Sequence, residues 1–144
     1  MRIESEDRQS VVILEPTRAE LSTYPSLCFS VELKSKKVSG GTREVWIELE
    51  KLNEFMKSLE SLDATRKTEA SLEGMSPGEI SIRIFPLNSR GHIALEIKLN
   101  EIFFIDDKRM GYGCYSTFEL DPTALSNIKT ELTALVAEPK KHIK

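Results

Sequence analysis

Apolar and polar residues alternate from Leu27 to Lys34, with Leu27, Phe29, Val31 and Leu33 on one side and Cys28, Ser30, Glu32 and Lys34 on the other. A period of two predicts a strand with one buried and one wet face. Ser39-Gly40-Gly41 then reads as a hairpin turn, because glycine tolerates the positive φ that tight turns use. Arg43 to Ile47 reads as the returning strand, with Val45 and Ile47 toward the core and Glu44 and Trp46 away from it. Upstream, Val11 to Leu14 predicts a strand that Pro16 cuts short, and residues 1–25 otherwise read as an N-terminal arm.

From about Glu48 the period lengthens. Leu49, Leu52, Phe55, Met56, Leu59 and Leu62 recur at intervals of three and four, the stripe of an amphipathic helix. Strand patterns return at Thr68–Gly74, Glu79–Phe85, His92–Leu99 and Tyr112–Leu120. Met75-Ser76-Pro77-Gly78 and Asn88-Ser89-Arg90-Gly91 supply turns between them. The last periodic segment is a helix carrying Leu125, Ile128, Leu132, Leu135 and Val136, with Asp121 as its cap and Pro122 at its first position. Glu138-Pro139 stops it, and residues 139–144 read as a mobile basic tail.

Short turns between neighbouring strands imply antiparallel pairing, since parallel neighbours need a long crossover. The expectation is an α+β fold: a two-layer sandwich in which a mainly antiparallel sheet of about six or seven strands carries both helices on one face. No repeat or linker divides the pattern, so residues 1–144 are expected to form a single domain.

Charge narrows the functional classes. Twenty Lys and Arg against 23 Asp and Glu give a net charge of −3, which argues against a protein that binds nucleic acid directly through a general basic surplus. The longest apolar runs, Val11–Leu14 and Ile102–Ile105, are far below the roughly 20 residues of a membrane span. The acidic start lacks the apolar stretch of a signal peptide, and two cysteines without a CxxC suit a reducing, cytoplasmic setting.

Motifs for chemistry are sparse. His92, beside Gly91, reads as a strand-start residue, because general acid/base work needs an orienting partner that no motif supplies. His142 falls in the tail. Cys28 is placed on the wet face and Cys114 on the buried one, neither beside a recognisable base. Glu69, Glu73 and Glu96 share a face with Arg83 and Lys98, so mutual pairing accounts for them, and Asp106-Asp107 is a weak metal signal. Gly111-Tyr112-Gly113 lacks the spacing of a phosphate-binding loop and reads as a flexible stretch or bulge. No catalytic residue, cofactor site or metal site is therefore assigned. The chain's one Trp, Trp46, has two readings: an interface anchor on the polar face, or a side chain covered by a loop or the N-terminal arm. Tyr115, opposite in sense to Cys114, reaches the polar face as well.

Two runs carry a family resemblance. One is Val45-Trp46-Ile47-Glu48-Leu49-Glu50-Lys51-Leu52-Asn53-Glu54-Phe55, followed by Leu59 and Leu62. The other extends from Leu72-Glu73-Gly74-Met75-Ser76 through Ile80-Ser81-Ile82 to Ser89-Arg90-Gly91-His92-Ile93. Over roughly residues 27 to 135 the chain resembles the WapI-type immunity proteins, small bacterial proteins similar to partners of contact-dependent toxins. The motifs are a strand-to-helix junction and a Gly-His strand start, so no catalytic or interface residue carries over. The resemblance implies a non-enzymatic module that binds and neutralises a cognate toxin, for which mild acidity is helpful if the toxin is basic. The wet face bearing Glu32, Trp46, Glu96 and Lys98 is the expected docking surface. Two other classes stay open: a small-ligand binder or enzyme with a site between sheet and helices, and a module that self-associates through a sheet edge.

Overall fold

A computed structural model describes residues 1–143, and the Lys144 of the expected tail lies outside the described residues. The chain is α+β and mostly antiparallel. Its strands are β1 (Arg2–Glu4), β2 (Val11–Glu20), β3 (Ser26–Lys34), β4 (Ser39–Glu48), β5 (Ala70–Glu73), β6 (Ile80–Pro86), β7 (Ile93–Ile105) and β8 (Lys108–Glu119). Two helices, α1 (Leu49–Thr65) and α2 (Ala124–Ala137), follow the two halves of the strand series. The eight strands divide into two four-stranded sheets, ordered β1-β2-β3-β4 and β5-β6-β7-β8. The N-terminal arm thus holds β1 besides the expected strand at Val11–Leu14, and β2 runs on past Pro16 to Glu20 with a register shift between Pro16 and Arg18.

Hydrophobic alternation dictates which faces meet. Leu27, Phe29, Val31, Leu33, Val45 and Ile47 of the first sheet are buried in the same core as Ile80, Ile82, Ile84, Leu95, Ile97 and Leu99 of the second. The sheets approach directly where β4 passes β7 and β8. Elsewhere the helices fill the space, α1 through Leu52, Phe55, Leu59 and Leu62 and α2 through Leu125, Ile128, Leu132 and Leu135. An isolated bridge between Ser5 and Leu120 ties the two sheets at their far edges.

Three local readings change. The β3–β4 turn is at Ser35–Val38, where Ser35 N–H donates to Val38 O at 2.8 Å, and the two glycines lie inside β4. They serve close approach instead of turning the chain. A Cβ on Gly40 would sit 2.7 Å from Cys114 Sγ of the facing sheet, and one on Gly41 would sit 2.6 Å from Val31 O. The α2 helix starts at Ala124, two residues later than its Pro122 signal, although the Asp121 carboxylate still accepts from Thr123 N–H at 2.9 Å. The basic tail is ordered as a 3-10 turn over Pro139–His142, packed on α2 and β2.

Candidate protein-binding surface: the β7–β8 arm

Beyond Leu99 and Cys114 the last two strands leave the core and continue as a two-stranded arm. Ile105 pairs with Lys108 around a two-residue loop, Asp106-Asp107. Both loop residues have positive φ, 49° and 62°, the geometry whose twist matches that of antiparallel strands. Aspartate is among the few side chains that tolerate it, so the acidic pair is a turn signal, not a metal signal.

Alternation sorts the arm's side chains onto two faces. The face continuous with the core carries Glu101, Phe103, Ile105, Met110 and Tyr112; the opposite face carries Ile102, Phe104, Arg109 and Tyr115. Phe104, Tyr112 and Tyr115 are 68%, 64% and 72% exposed, and Phe103, Ile105 and Met110 are exposed too. Rings of Phe103 and Tyr112 lie 6.2 Å apart at 56°, a tilted contact that stiffens the arm. Tyr112 O–H donates to Glu101 Oε2 at 2.5 Å. That hydrogen bond to a carboxylate, followed by the carboxylate's charge, holds the phenol above its ordinary pKa.

The arm's base is pinned. Asn100 Nδ2 donates to Gly78 O at 2.8 Å, and Asn100 N–H donates to Glu79 O at 2.9 Å. Gly113 faces Asn100 so closely that a Cβ would meet its Oδ1 at 2.2 Å. The Glu79 carboxyl beside this junction is pushed above its ordinary pKa by burial; a Ser76 hydrogen bond opposes the shift and the Glu101 charge adds to it.

The four residues expected to share one docking face fall on different sheets. Glu96 and Lys98 lie on the outer face of the second sheet, opposite Thr117 and Tyr115 respectively, and so adjoin the arm. Their side chains pair at 3.7 Å. Glu32 and Trp46 belong to the first sheet, where Glu32 pairs with Lys34 at 3.1 Å. The reason is the division into two sheets, which a pattern of alternation does not encode.

Trp46 is half-buried, with the Arg18 guanidinium 5.2 Å from its ring and also paired to Glu44 at 2.8 Å. Arg18 and Trp46 flank Cys28 in register on either side, and Cys28 is fully buried although it points to the nominally wet face. Tyr115 is on the other sheet, away from Trp46. His92 pairs through Nδ1 with Glu119 at 2.6 Å, so the strand-start histidine has a carboxylate partner of its own. Arg83 stacks over Phe85 at 4.4 Å.

A second feature lies between β2 and α2, a cavity of ≈ 460 Å³ lined mainly by apolar groups such as Leu14, Pro16, Leu132 and Leu135. Glu15, Glu131 and His142 reach its wall, and neither cysteine does. Among the described residues, no group of three or more His, Cys, Asp or Glu is placed to hold a metal ion. No described helix is long and apolar enough to cross a membrane.

A family model described as the Immunity protein WapI-like family matches residues 2–139. The chain belongs to the WapI-like immunity protein family. Membership therefore extends past the 27–135 span of the sequence resemblance and takes in β1, β2 and the C-terminal turn. A search of curated proteins finds no match.

Proposed function

We propose that this WapI-like protein acts in the bacterial cytoplasm as a non-enzymatic binding module that neutralises a cognate toxin, with the β7–β8 arm as its main docking element. Family membership supports the toxin-directed role. The observation that carries the docking assignment is the arm's apolar exposure. On one face Phe104 and Tyr115, 68% and 72% exposed with aromatic side chains of ~150–250 Å² each, offer roughly 200–350 Å², and Phe103, Ile105, Met110 and Tyr112 expose a second apolar set on the other face. Each set is on the scale of the largest contiguous apolar patch a monomer exposes, a few hundred Å², and would supply the apolar part of an interface that covers about 800 Å² per partner. In this proposal Phe104 and Tyr115 are aromatic anchors six register positions apart on one face, with Ile102 between them, and Glu96, Lys98 and Arg109 are the polar groups beside them. Glu32 and Trp46 form a separate, secondary surface on the first sheet.

Growth competition tests the reading. A strain lacking the protein should be outcompeted by its toxin-producing parent, and the wild-type chain should restore its survival. Phe104→Asp combined with Tyr115→Asp should fold normally yet lose most of that protection. Equal survival of the deletion strain would count against toxin neutralisation. Full protection by the double variant would remove the arm from the interface.

A further inference from the structure

The arm has a free edge as well as two faces. β8 ends the order of the second sheet, and the segment after β1 meets its far end, at the Ser5–Leu120 bridge and the Glu6 N–H to Glu119 O bond, well away from the arm. In a two-residue hairpin the residues flanking the loop exchange hydrogen bonds, after which bonded and non-bonded pairs alternate. Even-numbered residues of β8 therefore bond to β7, and odd-numbered ones direct N–H and C=O away from the sheet. Two bonds at the far end fix the same phase: Leu120 N–H donates to Ile93 O, while Glu119 O accepts from Glu6 N–H. The outward backbone groups of the arm belong to Arg109, Gly111, Gly113 and Tyr115.

Two of those four are glycines. A strand glycine commonly marks a place where another backbone approaches closely. The edge is also free of Pro and of any register shift across the β7–β8 pairing, so it lacks two of the devices that protect sheet edges.

We infer that β8 pairs antiparallel with β8 of a second copy, about a two-fold axis at Tyr112, joining the two second sheets into one. The sequence is self-complementary about that point. Gly111 comes opposite the partner copy's Gly113, so the central bonded pairs bring two backbones together with no side chains between them. Arg109 comes opposite Tyr115 of the other copy, a cation–π pair on one face. Met110 comes opposite Cys114 and Tyr112 opposite its own symmetry mate on the other face. An isologous contact of this kind closes after two subunits. The pairing uses the edge, so Phe104 stays accessible, Arg109 and Tyr115 serve both the pairing and the docking face, and the docking faces of two arms become neighbours.

Sedimentation of the full chain tests this over about 1–500 μM, a range suited to an interface of small area. A monomer–dimer equilibrium is expected. Tyr112→Glu sets two carboxylates against each other on the axis and should weaken dimerisation by at least about tenfold. A cross-link reads the register even if that variant folds poorly. Across a non-bonded antiparallel pair the Cα atoms are about 4.5 Å apart, within disulfide reach. Tyr112→Cys in a Cys114→Ser background should therefore form a covalent dimer on mild oxidation, whereas Phe104→Cys in the same background should not. A chain that stays monomeric throughout the range, or equal cross-linking of both cysteine variants, would overturn the inference while leaving the toxin-binding proposal untouched.

Discussion

Gly40 provides a quantitative test of how closely the two sheets approach. A Cβ there would sit 2.7 Å from Cys114 Sγ and 3.6 Å from Cys114 Cβ. The first separation is a clash, and the second is ordinary contact. Gly40→Ala should therefore set two opposing terms against each other. Overpacking a fitted contact costs about 1–3 kcal/mol, while replacing glycine in ordinary strand geometry gains about 0.4–1 kcal/mol through the unfolded chain. The expected net loss is about 1–2 kcal/mol. Removing the thiol removes the clash but not the entropic gain. In a Cys114→Ala background, Gly40→Ala should be neutral or stabilising by up to ~1 kcal/mol, giving a coupling of about 1–3 kcal/mol.

Urea unfolding of the wild type, both single variants and the double variant measures the cycle, with midpoints compared at a shared slope. Gly41→Ala is the control, because its clash at 2.6 Å is with the backbone oxygen of Val31. No side-chain change in the facing sheet should rescue it. Additivity of Gly40→Ala and Cys114→Ala within about 0.5 kcal/mol would refute the direct approach of β4 to β8.

Two further predictions follow from single side chains. The Asp121 carboxyl lies below its ordinary value of 3.8, chiefly through hydrogen bonds from the Thr123 hydroxyl and amide. A depressed folded-state pKa gives stability that is present above the unfolded value and lost as pH falls through the folded one. The stability gap between wild type and Asp121→Ala should accordingly be constant above about pH 5 and close below about pH 4, measured by urea midpoints across that range. A gap that persists into strong acid would show that the carboxylate's hydrogen bonds to Thr123 do not stabilise the turn leading into α2. Arg18→Ala should expose the shelf over Cys28, raising its reaction rate with a thiol reagent and shifting Trp46 fluorescence to the red. Unchanged Cys28 reactivity would mean that other groups cover it.

Secondary structure was legible wherever one face was buried. The helix stripe Leu52, Phe55, Leu59 and Leu62 is the buried set of α1, and Ile80, Ile82 and Ile84 point inward on β6. Alternation failed to indicate the number of sheets, because inward residues of either sheet read alike when both contribute to one core. It also misplaced Cys28 on a wet surface, since an Arg and a Trp two strands apart can close over the residue between them. The glycines of β4 mimicked a turn because close packing and tight turning both require a missing Cβ.

The arm was harder to read for a different reason. A strand outside the core has no buried face to impose a period of two, so Ile102-Phe103-Phe104-Ile105 is apolar on both faces and breaks the alternation that marked Ile93 to Leu99. That break was itself the available signal. Four consecutive apolar residues, a two-aspartate turn and the Met110–Tyr115 run form a hairpin whose apolar content exceeds what an isolated ribbon needs. A two-stranded ribbon is marginal without further burial. Its side chains are instead left in water, next to Lys98 and Tyr115, on a scaffold pinned by Asn100 to the turn at Gly78 and Glu79. Exposure costs the free protein solubility and gains it no stability, so the arm's composition is best accounted for by burial in an assembled state. Its two faces and its edge offer different chemistries. The faces present aromatic side chains to a shaped surface, and the edge presents bare backbone to another strand. A face variant that loses protection but keeps dimerising, together with an edge variant that does the reverse, would separate the two uses.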